Sequence, residues 1–280
     1  MFDRNTMLDR RQALGILAMS GMNLASRTSS RMTDAEQEQA RAPLRTIGVL
    51  GGLGPQATMD FEARVHGVAQ CLIPQRENSG YPPMVVYYHR HPPILLNDDL
   101  SPRFPIQPDP RLLDAAKRLG AWADFLVIAS NAPHLIQEQI EQAAGRNVLS
   151  MIDVTIEAVQ RRGWRNVGVL GFGHPMVYTT PLAKLKIAYE TLDDARQTAL
   201  DKEIMKVMEG RDTAQSAEIV REAVGSLRSR KVDGIILGCT EIPLLLRTTP
   251  DADLIDPLEL LAEAAVKLAI AGAFKERTTC

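Results

Sequence analysis

The chain has 280 residues, of which 45% are hydrophobic, and a formal net charge of −2 at pH 7. This length allows one large domain or two modest ones, each with a substantial core. The charges are mixed and no basic stripe with interleaved aromatic residues occurs, so nucleic-acid binding has no support. No uninterrupted apolar run reaches the roughly 20 residues of a membrane-spanning helix.

The first 44 residues differ from the rest in composition. Arg10 and Arg11 precede an uncharged, moderately apolar stretch at residues 13–25 and then a segment rich in Ser, Thr and Arg. This order is typical of a twin-arginine export signal, which favours a periplasmic over a cytoplasmic location. A disordered or loosely helical tail is the alternative. In both cases residues 1–44 are left out of the predicted fold.

The folded part is predicted to begin with a strand at residues 47–50, followed by GGLGPQAT at residues 51–58 and a helix at residues 55–70. Pro55 suits the first position of a helix. The glycines let backbone N–H groups approach an anion, and a helix N-terminus favours a carboxylate or phosphate. A tight strand-to-helix turn without a ligand is the alternative.

A second strand at residues 83–88 leads into His89, Arg90 and His91 and then a proline-rich loop at residues 92–110. Two histidines at this spacing can bind a metal, but no acidic or cysteine partner lies at a suitable distance in the sequence, so no metal site is predicted. The long loop is predicted to be a flap over the site.

Helices and strands alternate through the rest of the chain, which predicts parallel sheets. The predicted strands are residues 125–131, 167–170 and 234–240, and the predicted helices are residues 111–122, 133–144, 181–192, 198–208, 214–229 and 257–274. The last helix is apolar nearly all round, which indicates burial between two lobes or against the first.

Three pairs of segments recur in the same order along the chain. The pairs are residues 46–52 with 166–172 (TIGVLGG, NVGVLGF), 125–131 with 234–240 (FLVIASN, GIILGCT), and 149–154 with 253–258 (LSMIDV, DLIDPL). This order predicts an α/β fold of two pseudo-symmetric lobes, each a parallel sheet flanked by helices. Unrelated strands followed by glycine are the alternative.

The predicted first lobe comprises residues 45–152 and 256–275, and the second comprises residues 153–255. Ligands of parallel α/β sheets bind at the carboxyl ends of the strands. We therefore expect the active site in the cleft between the lobes, where Ser130 and Cys239 end equivalent strands.

Cys239 is the cysteine with the most suggestive surroundings, because Gly238 precedes it and Thr240 and Glu241 follow. A helix beginning there is expected to lower the pKa of the thiol from about 8.5 and so supply a thiolate. A small buried side chain without chemistry is the alternative. The three cysteines (Cys71, Cys239 and Cys280) form no metal spacing and no evident disulfide framework.

Three segments resemble the aspartate/glutamate racemase family: residues 51–58, SNAPH at residues 130–134 and GCTEI at residues 238–242. The resemblance covers residues 46–267, and GCTE is its most diagnostic part. It implies an amino-acid racemase without a pyridoxal or other cofactor, a small carboxylate substrate between two lobes, and a homodimer. In this family one cysteine from each lobe faces the α-carbon.

The resemblance also implies which side chains form the site. Cys239 and Ser130 occupy the two catalytic positions. Asn131 and Thr240 are expected to bind the α-carboxylate, with Thr58 helping from the glycine-rich loop. The full set expected to bind the substrate is Gly52, Thr58, Arg90, Asn131, His134, Thr240 and Glu241.

Two departures from the family pattern matter for the mechanism. Ser130 stands where the family has its first cysteine, and a hydroxyl is no general base unless a neighbouring base activates it. For His134, a buried histidine that is hydrogen-bonded across the lobe is the favoured interpretation, and a relay to Ser130 is the alternative. Asp201 stands where a lysine for a distal carboxylate is expected, with Lys202 beside it and Arg90 a loose candidate for the other basic group.

The leading hypothesis is a racemase or epimerase that uses the Cys239 thiolate at the α-carbon of a carboxylic acid. A single-cysteine decarboxylase of the arylmalonate type is the first alternative. A non-catalytic carboxylate-binding protein is the second.

Overall fold

The computed structural model describes residues 43–271 except residues 76, 78, 99–101 and 247–250. The elements of its first half are β1 (Ile47–Gly51), α1 (Pro55–Leu72), β2 (Met84–Tyr88), α2 (Pro110–Gly120), β3 (Phe125–Ile128), a 3₁₀ segment (Ala132–Ile136), α3 (Gln137–Ala144), β4 (Val148–Leu149) and α4 (Met151–Arg161). Those of its second half are β5 (Asn166–Leu170), α5 (Met176–Lys184), β6 (Ala188–Glu190), α6 (Asp194–Met208), α7 (Ala214–Arg228), β7 (Gly234–Leu237), α8 (Ile242–Leu245), β8 (Leu254–Ile255) and α9 (Pro257–Ile270).

Two parallel four-stranded sheets form the framework. Their strand orders are β2-β1-β3-β4 and β6-β5-β7-β8, so the second sheet repeats the first. Each pair of recurring segments occupies equivalent places: β1 with β5, β3 with β7, and β4 leading into α4 with β8 leading into α9. The predicted α/β fold of two similar lobes is confirmed, whereas the lobe boundaries stay a prediction.

The central strands are short apolar runs because helices cover both faces of each sheet. All four residues of β3 and all four of β7 are buried. The last helix, α9, packs against α1 and joins the core of the first sheet through Leu258, Leu261 and Val266. Its buried apolar residues therefore belong mainly to the core of the first sheet, and it also packs against α4.

The predicted helix at residues 181–192 is wrong. Helix α5 ends at Lys184, and Lys186 then adopts a left-handed conformation with φ of 58°. The following residues form β6, which pairs with Asn166–Gly168 of β5. Pairing with a neighbouring strand is a tertiary contact that local sequence preference does not reveal.

Two other helices begin differently from their predictions. The helix predicted at residues 133–144 starts as the 3₁₀ segment and becomes α-helical only at Gln137. Helix α6 begins at Asp194, four residues earlier than predicted, because the Asp193 carboxylate caps it by accepting a hydrogen bond from Arg196 N.

The predicted export signal lies outside the described residues, as do Cys280 and the predicted end of the last helix. Within the described residues, no helix combines the length and apolar character that crossing a bilayer requires.

Candidate active site

A cleft between the lobes collects the carboxyl ends of strands from both sheets. It contains a cavity of about 280 Å³. Polar groups from both lobes line this cavity: Ser130 and Asn131 after β3, and Cys239, Thr240 and Glu241 after β7. The two strand ends that the repeat predicted to meet therefore lie at one cavity, as expected for parallel sheets.

The thiol of Cys239 is paired with a carboxylate. Its Sγ donates a hydrogen bond to Oε2 of Glu241 over 3.0 Å. The same oxygen accepts the Thr240 hydroxyl at 3.1 Å, and Glu241 is only 3% exposed. A carboxylate within hydrogen-bond reach of a thiol has the geometry of a base for that thiol.

Burial governs the protonation of this pair. It raises the pKa of the Cys239 thiol well above the ordinary value, and the nearby charge of Glu241 raises it further. Burial also raises the pKa of Glu241. The expected lowering of the thiol pKa is therefore wrong, because α8 has only four residues and its dipole does not offset the lost hydration.

The glycine-rich loop of the first lobe closes over Glu241. Gly52 adopts φ of 78° and donates its N–H to Thr58 Oγ1 at 2.8 Å, while the Thr58 hydroxyl donates to Gly54 O. A side chain built on Gly54 would overlap Oε1 of Glu241. Thr58 is thus buried and engaged within the loop, and it is not among the residues that line the cavity.

Asn131 lines the cavity and carries an unpaired buried donor. Its Oδ1 accepts the hydroxyl of Tyr178 at 2.5 Å, a bond that links the two lobes. Its Nδ2 is buried and has no hydrogen-bond partner among the described residues. Because a buried N–H without a partner is costly, this group is suited to a ligand oxygen.

His134 uses both ring nitrogens on backbone groups. Nδ1 donates to the carbonyls of Ser130 and Asn131 at 3.0 and 3.1 Å, and Nε2 accepts from Met151 N at 3.1 Å. Burial lowers its pKa to about 4, so the ring is neutral. These bonds match the interpretation of His134 as a histidine hydrogen-bonded within the protein. Both of its ring nitrogens are engaged, so neither is free to relay a proton to Ser130.

Arg90 is not among the residues that line the cavity. Its side chain is exposed and stacks over the ring of Tyr88 at 4.8 Å. The His89 and His91 rings contact each other edge to face at 5.7 Å. Among the described residues, no three His, Cys, Asp or Glu side chains are grouped as a metal site.

Asp201 and Lys202 lie beside the cleft rather than in it. Asp201 Oδ1 accepts hydrogen bonds from Gly173 N at 2.8 Å and from Gln197 Nε2 at 2.7 Å. Lys202 is exposed in an adjoining open depression. Neither side chain lines the cavity that holds Cys239.

Sequence reasoning missed several side chains that shape the cavity. Tyr178 was not singled out because its partner, Asn131, is 47 positions away. Met205 and Met208 line the cavity from α6. They are three residues apart and therefore lie on one face of the helix, and this spacing in the sequence could have indicated a shared apolar surface.

The family model described as Asp/Glu/Hydantoin racemase matches residues 50–265. Over 240 residues, the chain is 24% identical to the broad specificity amino-acid racemase RacX of Bacillus subtilis (strain 168). This match covers 80% of the chain and 98% of that protein.

Two solved structures share the fold. The aspartate racemase of Picrophilus torridus has a TM-score of 0.65 at 24% identity, with 80% of this chain and 94% of that one covered. An aspartate racemase homologue from Pyrococcus horikoshii OT3 has a TM-score of 0.60 at 24% identity, with 81% and 99% covered.

Proposed function

Because the chain belongs to the Asp/Glu/hydantoin racemase family, we propose that it is a cofactor-independent amino-acid racemase or epimerase. The Cys239 thiolate removes the α-proton of the substrate. The observation that carries the proposal is the Cys239–Glu241 hydrogen bond of 3.0 Å at a cavity that also holds the unpaired amide of Asn131. The homodimer and the export signal remain further predictions.

The proposed proton path starts at the thiol. Glu241 Oε2 takes the Cys239 proton along their hydrogen bond, and its raised pKa makes it a stronger base than an ordinary carboxylate. The thiolate then takes the proton from the α-carbon. The electron pair of the broken C–H bond moves onto the substrate carboxylate, which forms a planar enediolate-like intermediate.

The α-carboxylate is proposed to bind between the two lobes. Asn131 Nδ2 donates to it, and Tyr178 orients the amide by donating to Asn131 Oδ1. Charge that develops on the carboxylate strengthens such a bond in the transition state. Thr240, from the opposite lobe, is the second proposed partner, and its hydroxyl would turn from Glu241 Oε2 to the carboxylate when the substrate binds.

Proton transfer is proposed to be faster on one face of the α-carbon than on the other. Ser130 lines the same cavity from the first lobe, but its hydroxyl lacks the acidity of a thiol, and the ring of His134 is occupied by backbone groups. Removal and return of the proton on the Cys239 face is therefore expected to be faster than delivery to the other face.

The proposal is tested by proton NMR in deuterated water with L- and D-amino acids and disubstituted malonates. Loss of the α-proton signal supports it. Carbon dioxide release from a malonate without α-proton exchange would support the decarboxylase instead. Stabilisation by a carboxylate without exchange or decarboxylation would support a binding protein.

Replacing Glu241 with glutamine is expected to lower the pKa of the Cys239 thiol and to slow α-proton exchange. The charge of Glu241 raises the pKa of the thiol, so its loss favours the thiolate, while the proton acceptor is also lost. The measurement is the pH at which alkylation of Cys239 by iodoacetamide is half-maximal, which should move to lower pH. Glu157→Gln, on the exposed side of α4, is the matched control; an unchanged or higher midpoint in Glu241→Gln would contradict the assignment.

Replacing Ser130 with cysteine is expected to raise the ratio of inversion to exchange about tenfold or more, because a second thiol adds an acid–base group on the other face. The ratio is obtained by chiral chromatography and NMR on the same samples. Ser229→Cys places a thiol at an exposed site and should leave the ratio unchanged. An equal ratio in Ser130→Cys and wild type would show that Ser130 does not face the α-carbon.

A further inference from the structure

One side of the active-site cavity is formed by large apolar side chains, here called the apolar wall. Its members come from both lobes, and they are Leu135, Phe172, Met176, Met205 and Met208. Each keeps at least 36% of its surface exposed although it lies in a concave site. Clustered exposed apolar groups of this kind mark ligand-binding or interaction surfaces.

The apolar wall is continuous with the polar end of the cavity, where Cys239 and Asn131 lie. The single volume of about 280 Å³ lies just below the range of about 300–1,000 Å³ that is typical of ligand pockets, so it suits a small ligand. A small molecule that places its α-carbon at Cys239 would therefore place its side chain against the wall.

No lysine or arginine is present among the described residues that line this cavity. Lys202 lines a neighbouring depression, and Phe172 and Met205 line both that depression and the cavity, so they separate the two. Along the apolar wall, a distal carboxylate of a substrate would thus meet methionine and phenylalanine side chains rather than a lysine or arginine, and the histidine that lines the cavity is His174. Leaving such a charge unpaired in an apolar site is costly.

Asp201 supports the turn that carries Phe172 of the apolar wall. It accepts the Gly173 N–H, and Gln197 Nε2 bonds both to Asp201 and to Gly171 O, at 2.7 and 2.9 Å. These bonds hold the turn that carries Phe172.

We infer that the substrate is an α-amino acid with an apolar side chain of the leucine, methionine or phenylalanine class, which packs on the apolar wall while its α-carboxylate faces Asn131. This inference rests on the proposed function, since it takes Cys239 as the group that acts on the α-carbon.

The test compares kcat/KM for α-proton exchange of leucine, methionine and phenylalanine with that of aspartate, glutamate and lysine. A poorly fitting group in an apolar pocket changes this ratio by about 10- to 200-fold. We expect the apolar amino acids to be preferred by at least about tenfold. Faster Cys239-dependent exchange of aspartate or glutamate would overturn the inference and leave the proposed function intact.

Met205→Lys is the diagnostic variant, because Met205 is 41% exposed and a lysine can be placed there without repacking the core. It should reduce the leucine-to-glutamate ratio about tenfold or more. Lys202→Met, three residues earlier on α6 and outside the cavity, is the matched control and should leave the ratio unchanged. An unchanged ratio in Met205→Lys would overturn the inference.

A second measurement separates the two proposals. If no amino acid exchanges its α-proton, the proposed function fails. The change in Tm of the wild-type protein with leucine and with glutamate then still tests whether the apolar wall binds an apolar side chain. A larger rise in Tm with leucine supports apolar recognition. No rise with leucine, together with a monomer from Met205→Lys where wild type is a dimer, would show instead that a second copy covers the wall.

Discussion

Replacing Cys239 with alanine is expected to reduce α-proton exchange by about 10²- to 10⁴-fold, the usual contribution of a positioned acid–base group. The variant removes the thiol, whose proton has an adjacent acceptor in Glu241 at 3.0 Å. The effect should fall on kcat, because Asn131 and the apolar wall still bind the substrate. Proton NMR in deuterated water at saturating substrate measures it.

Cys71→Ala is the matched control for this loss. Cys71 is an exposed free cysteine on α1 and does not line the cavity, so its variant should exchange at the wild-type rate. If Cys239→Ala retained wild-type exchange while remaining folded by its Tm, the proposed role of the thiol would be refuted. Equal losses in both variants would point to a general effect of losing a thiol.

Replacing Asn131 with aspartate is expected to raise KM on the order of 100-fold or more, because two like charges in contact cost several kcal/mol. The two side chains have nearly the same shape, and Oδ1 of an aspartate can still accept the Tyr178 hydroxyl. The change therefore replaces the unpaired Nδ2 donor with an acceptor that repels the α-carboxylate. Initial rates over a range of substrate concentrations give KM, and the Tm reports folding.

Asn147→Asp provides the control, since Asn147 is an exposed residue of the same lobe. It adds the same charge at a residue that does not line the cavity and should leave KM unchanged. An unaltered KM in Asn131→Asp would show that the α-carboxylate does not bind this amide. A large fall in Tm in that variant alone would show instead that the bond between Tyr178 and Asn131 is needed for stability.

Much of the fold was predictable because it depends on local patterns. Short apolar runs with helical segments between them indicate parallel sheets, and the three recurring pairs placed β1 with β5 and β3 with β7. The segment at residues 185–192 was not predictable in this way. Residues 188–190 of this segment form a strand because they pair with β5, and that pairing exists only once the sheet is assembled.

The residue identities at the site were also readable from the sequence, whereas their states were not. GCTE identified Cys239 and Glu241, but the raised pKa of the thiol follows from burial and from the orientation of Glu241. Likewise, the role of His134 depends on bonds to three backbone groups, one of which is 17 positions away.

The sequence by itself determined the two-lobed α/β fold and the asymmetry between Ser130 and Cys239, because strand periodicity and residue type are local properties of the chain. Only the tertiary structure decided the raised pKa of Cys239, the unpaired amide of Asn131 and the apolar wall. The hydration and the hydrogen-bond partners of a side chain depend on which surfaces meet when the two lobes pack together. The spacing of residues along the chain does not specify those contacts.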